Sequence, residues 1–203
     1  MSQLKLTADS GGGTVAIKGP ASTTGNAAIE MTVPGTGNST LLPSATNTGK
    51  ILQVVSTTKT DHFTTTSSSI TEITGLNVSI TPSASTSKIL LYLNINFGAA
   101  TDSYFGFYLK RDSTLIATTT AVDGNDTRKQ QAFSGYIESE FRTESGGINF
   151  LDSPNTTSAL SYKAFCSSNY NSRALHINRT SSVTDNTYNG GMISTLTAME
   201  VAA

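Results

Sequence analysis

The sequence predicts an all-β protein: a β-sandwich, jelly-roll-like head domain with a short N-terminal β-hairpin or extended arm. Three observations carry this. Apolar and polar residues alternate with period two over long stretches. Successive strand side chains point to opposite faces, so such alternation places one face in a core and the other in water. The composition agrees: Ser and Thr make up about 30% of the 203 residues, well above ordinary usage. Only 13% are charged, against roughly 25% in ordinary domains. Few helix formers are present, while Thr with Ile, Val, Tyr and Phe suits a pleated surface. Finally, around ten strand-like runs recur at roughly 8–15-residue spacing between breaker clusters, with no helical pattern. Disorder, the other reading of Ser/Thr richness, goes with high net charge and few β-formers; here the net charge is −1.

Residues 1–49 read as an arm. Strand candidates at 14–18 and 28–33 carry Val15, Ile17, Ile29, Met31 and Val33, between the breakers Gly11-Gly12-Gly13, Gly19-Pro20 and Pro34-Gly35. A lone hairpin is marginal in water. The segment is therefore expected to lie against the head, sister chains or another protein, as an attachment or assembly arm.

Residues 50–203 read as the head. The first strand covers 50–56, and a weak polar one 60–66. Leu76, Val78 and Ile80 then alternate with Asn77, Ser79 and Thr81 before Pro82 and its hydroxyl-rich neighbours interrupt. The run Lys88–Phe97 follows, with Ile89, Leu91, Leu93, Ile95 and Phe97 on one face and Leu90 and Tyr92 on the other. It is the most apolar strand, so the rest is expected to pack against it. Further strands fall at 104–110, 114–118 (after a tight Arg111-Asp112-Ser113 turn), 131–138, 147–151, 159–166, 173–177 and 192–201. A terminal strand of that length is normally tied into a sheet.

The chain shows no motif for metalloprotease, serine hydrolase, P-loop or dithiol chemistry, and no enzyme activity or cofactor is expected. His62 and His176 are the only side chains that titrate near neutrality unperturbed, and both read as ordinary histidines. Asp123-Gly124-Asn125-Asp126-Thr127 is oxygen-rich like a calcium loop but lacks EF-hand spacing, so a turn is the better account. Glu138 and Glu140 share a strand face, as a solvated edge does. Cys166 alternates with Leu160, Tyr162 and Ala164, as a small buried hydrophobe would. The isolated basic pair Arg128-Lys129 is no stripe for nucleic-acid phosphates. No apolar run reaches the length that spans a membrane, and the N-terminus has no secretory h-region. No nucleic acid, membrane insertion or export is expected, and synthesis is cytoplasmic. Tyr104, Tyr170 and Tyr188, each flanked by Ser, Asn or Thr, are the candidates for glycan or host contact, since an aromatic face packs on a pyranose.

The opening LKLTADSGGGTVAIKGPASTTGNAAIEMTVP resembles the N-terminal module of structural and tail-fibre proteins from phages of marine bacteria and cyanobacteria. GKILQVVSTTKTDHFTTTSSSITEITGLNVSITPSASTSKILLYLNINFG resembles the start of a β-rich head in those proteins. LDSPNTTSALSYKAF and GGMISTLTAMEV are similar to its later strands. The resemblance implies a non-enzymatic virion structural protein, assembled in the host cytoplasm as a homotrimer. Its arm would fasten to other virion proteins of capsid or tail, and its head would meet host-surface glycan. No repetitive shaft separates arm from head, which favours a short fibre or capsid-decoration component. The rival class is a monomeric carbohydrate-binding module.

Overall fold

The computed structural model describes residues 3–7, 14–18, 51–118, 130–168, 173–184, 187 and 189–203. The chain divides into two compact units, Met1–Thr46 and Asn47–Ala203. In the first, β1 (Gln3–Thr7) pairs antiparallel with β2 (Thr14–Lys18), with Leu4 opposite Ile17 and Leu6 opposite Val15. The strand expected at 14–18 is thus present, but its partner is 3–7. The other expected strand, with Ile29, Met31 and Val33, lies outside the described residues.

The second unit contains β3 (Ile51–Lys59), β4 (Phe63–Thr65), β5 (Thr71–Ile80), β6 (Lys88–Ala99), β7 (Ser103–Arg111), β8 (Thr114–Ile116), β9 (Phe133–Ile137), β10 (Thr143–Asp152), β11 (Leu160–Ser168), β12 (Leu175–Ile177) and β13 (Ser194–Val201). β3 pairs with β13, β5 with β11, β6 with β10 and β7 with β9, all antiparallel. The chain therefore doubles back on itself like one long hairpin centred between β7 and β9. That hairpin is rolled up, so β13 also pairs with β6 and β11 with β7. The result is two sheets, β3-β13-β6-β10 in front and β5-β11-β7-β9 behind, which is jelly-roll topology. The short β4 and β12 prolong the lines of β3 and β13, and β8 pairs with the end of β7.

The core lies between the sheets, built by the alternating residues of each strand. β6 contributes Ile89, Leu91, Leu93, Ile95 and Phe97; β5 contributes Leu76, Val78 and Ile80; β7 contributes Phe105, Phe107 and Leu109. Phe107 is the hub of an aromatic group, 4.8 Å from the Phe97 ring and stacked on Phe133 at 4.6 Å between centroids. Gly135 is required here, because a methyl at that position would collide with the Phe97 ring. β6 is the strand against which the front sheet is assembled, flanked by β10 on one edge and by β13 and β12 on the other.

Four details refine or correct the sequence reading. β10 begins at Thr143, not 147, and Gly146 within it makes room for the Phe133 ring. The segment 81–87, read as a turn-forming interruption, is an arch that carries the chain from the back sheet to the front. His62 stands in the gap between β3 and β4, exposed, and not within a strand. Glu138 and Glu140 lie beyond the end of β9, in the bend before β10.

Candidate functional site

Of the three tyrosines singled out, Tyr170 and Tyr188 lie outside the described residues. Tyr104 is 55% exposed on the outer face of the back sheet, its ring tilted against Tyr136 at 4.6 Å. The Tyr136 hydroxyl donates to Asp102 at 2.8 Å, and that bond pushes its pKa up to about 12. The calcium-like loop at Asp123 and the Arg128-Lys129 pair also lie outside the described residues. Among the described residues no cluster of His, Cys, Asp and Glu could hold a metal ion. Glu138 and Glu144 both pair with Arg142, at 3.3 and 2.9 Å, in an exposed ion-pair group. Cys166 is fully buried in the core, and burial pushes its thiol up to about 12. His176 is buried in β12, with Nδ1 3.0 Å from the Thr64 hydroxyl. Burial, then Arg179 and His62, pull its pKa down to about 4.

Four buried polar positions tie strands together. Asp152, at the end of β10, takes Arg111 Nη1 on both oxygens at 2.9 and 2.8 Å and the Tyr162 hydroxyl at 2.7 Å. This group links the front sheet to the back. Burial, and then the bond to Asp152, hold the Tyr162 hydroxyl far above its ordinary range. Glu200, at the end of β13, accepts from Gln53 at 2.6 Å and from both the backbone N–H and the hydroxyl of Ser83 at 2.7 Å. Burial opposes ionisation there, but these bonds and one from Ser87 outweigh it and hold the carboxyl down to about 2. Glu200 thus fastens the 81–87 arch.

Asn178 sits where the β12–β13 line is interrupted. It is fully buried in a left-handed conformation, φ 66°. Its amide donates to the carbonyls of Lys59 (2.8 Å) and Asp61 (3.0 Å), and its oxygen accepts from Ser194 at 2.6 Å. Ser194 Oγ in turn accepts from the Asn96 N–H. The line thus breaks after Asn178 and resumes at Ser194, the two joined by their side-chain bond. Lys59, buried alongside, pairs with Asp61 at 2.7 Å. Among the described residues every buried side-chain polar atom has a partner. These groups hold strands and the arch in place.

The outer face of the front sheet is different. Registration aligns Val54, Met199, Leu90 and Leu151 in one row across all four strands. Val54 is 55% and Leu151 48% exposed, with Ile51 and Leu52 exposed beside them. The next row, Ser56–Thr197–Tyr92–Asn149, and the one beyond, Thr58–Thr195–Asn94–Gly147, are polar except for the Tyr92 ring. Tyr92, Asn94, Gly147, Asn149 and Thr195 line an open groove of about 380 Å³. Its floor is low because Gly147 has no side chain; a methyl there would collide with the Leu93 carbonyl. Alternation had indicated a second apolar face at Leu90 and Tyr92. It had not shown what stands beside them, since those partners come from β10 and β13.

No family model matches this chain, and no curated protein matches it. Among solved structures it is similar to a chain in the structure of infectious bursal disease virus, Gx strain, with a TM-score of 0.36 and 14% identity. The alignment covers 83% of this chain and 44% of that one, so the chain spans less than half the length of the protein it matches.

Proposed function

We propose that this protein is a non-enzymatic structural component of a bacteriophage virion, a short tail-fibre or capsid-decoration protein that assembles as a homotrimer. The observation that carries the reading is the apolar row Val54–Met199–Leu90–Leu151 on the outer face of the front sheet. Contiguous exposed apolar surface on a folded domain marks an interaction site, and closed symmetry lets one such patch meet copies of itself. The resemblance of the N-terminal stretch to phage attachment modules supports an arm in residues 1–49 that fastens the assembly to capsid or tail.

Light scattering after size exclusion tests the assembly. A mass near three times 21.2 kDa is expected for the full chain, and Leu151→Asp should lower it towards one chain. A clean monomer would overturn the trimer and bring forward the carbohydrate-binding module. Deleting residues 1–49 should leave a folded head that no longer joins particles; continued decoration would remove the arm's assignment.

A further inference from the structure

The groove beside the apolar row is a second kind of surface. Tyr92 presents 41% of its surface to solvent, and its diagonal neighbour across the β6–β10 pair is Gly147, so one side of its ring stands over bare backbone. Asn149 lies directly opposite Tyr92 and is exposed. Asn94 is exposed one row further, opposite Gly147, with Thr195 on its other flank. The neighbouring amide of Asn96 is already engaged, donating to the Ile193 carbonyl and, at 3.5 Å, to Asn94 Oδ1, and accepting from Ser145; the Asn94 N–H₂ stays available. Among the described residues no comparable bond occupies the Tyr92 hydroxyl or the Asn149 amide. Among the described residues whose side chains alternate onto this face, Lys88, at its far end, carries the only charge.

We propose that this groove binds a neutral saccharide, through Tyr92, Asn94 and Asn149. The chemistry selects that class. An uncharged lining offers nothing to neutralise a phosphate or carboxylate, and a purely apolar ligand would bury the amides without partners at a cost. A pyranose has an apolar C–H face to lie on the Tyr92 ring and vicinal hydroxyls that both donate and accept. A primary amide does the same with its N–H₂ and C=O. The volume lies near the small end of ligand sites, room for one or two sugar rings. The site is distinct from Tyr104, which lies on the opposite sheet, and it does not rest on the virion reading.

The test uses the full-length protein with a panel of neutral sugars (glucose, galactose, mannose, N-acetylglucosamine and their β-linked disaccharides) at millimolar concentration. Binding is read by saturation-transfer NMR and titration, and mass by light scattering on the same samples. At least one sugar should bind saturably. Tyr92→Ala and Asn149→Ala should each weaken it by about tenfold, the order expected for an aromatic or paired polar contact. Tyr104→Ala should leave it unchanged, and none of the three should alter the mass. Absence of saturable binding overturns the site, as does binding that survives Tyr92→Ala or is lost on Tyr104→Ala. A fall in mass on Tyr92→Ala assigns the ring to a subunit contact and overturns it too. Failure of the trimer with sugar binding intact removes only the assembly model.

Discussion

The middle of the sandwich and the two ends of its β13 line hold the same sheets by different means. In the middle, Leu196 and Ala198 lie beside Leu93 and Leu91 of β6 in the buried apolar cluster, and the contacts are dry and non-directional. At the ends, the inward positions of the same strand are Ser194 and Glu200, buried just as deeply but saturated with hydrogen bonds. Dispersion and burial fill the centre without saying where a strand must stop. Directional bonds to particular backbone groups do say it: Asn178 fixes where the line breaks and resumes, and Glu200 fixes the arch.

If that division is right, substitutions should differ in size and in kind. Phe107→Ala should cost most, about 3–5 kcal/mol in denaturant unfolding, because it removes the hub of the aromatic group and leaves a cavity. A loss below that of the polar variants would reverse the ranking. Asn178→Ala should cost about 2–3 kcal/mol, since it strands the buried Lys59 carbonyl, the partly buried Asp61 carbonyl and the Ser194 hydroxyl. Asn178→Gly relieves the left-handed backbone but restores no bond, so it should recover only a minor part. Full recovery by glycine would make conformation, not bonding, the function of this residue.

Acid should act on the ends and spare the middle. The pKa of His176 is lowered from 6.5 to about 4, so the unfolded chain takes up a proton first; its contribution is complete above pH 6.5 and is lost as pH falls towards 4. Glu200 is lowered from 4.5 to about 2, so its contribution is complete above 4.5 and is lost towards 2. Thermal melts should therefore be flat near neutrality and fall in two overlapping steps. Glu200→Gln should flatten the lower one, and an unchanged acid limb would show that its bonds do not depend on charge. The smallest effect belongs to the outer face of the back sheet. There Lys163 and Glu72 pair at 3.1 Å, both partly exposed. Lys163→Ala should change stability by roughly 0.5 kcal/mol or less, as exposed pairs do.

The middle was legible in the sequence and the ends were not, for the same reason. Alternation in Leu76–Ile80, Ile89–Phe97 and Phe105–Leu109 is a local signal, and it marked the strands, the sandwich and the central place of β6. Asn178, Ser194 and Glu200 act through partners far away in the chain, and nothing near them in sequence marks an asparagine in a polar loop as a splice. The strand expected at 147–151 starts earlier, at Thr143, because its first half (Thr143–Gly146) carries no apolar alternation to mark it, while Gly146 is held there by the Phe133 ring that fills its vacated space. The groove was half visible: Tyr92 was placed on the outward face of its strand, but Asn149 and Thr195 join it only through register with β10 and β13. Tyr104 stands exposed within β7 rather than in a loop, and its tilted ring contact with Tyr136 was not foreseen.

The rolled hairpin also sets an order of events during synthesis. Among the described strands β3 pairs only with β13, and Ile51 meets Val201. Until β13 has left the ribosome, β3 lacks that partner and one flank of β6 stays open. Closing so long a loop is entropically slow, and open strand edges invite pairing with other chains. The nascent chain is therefore most vulnerable to aggregation just before β13 appears, and chaperone capture should be concentrated there.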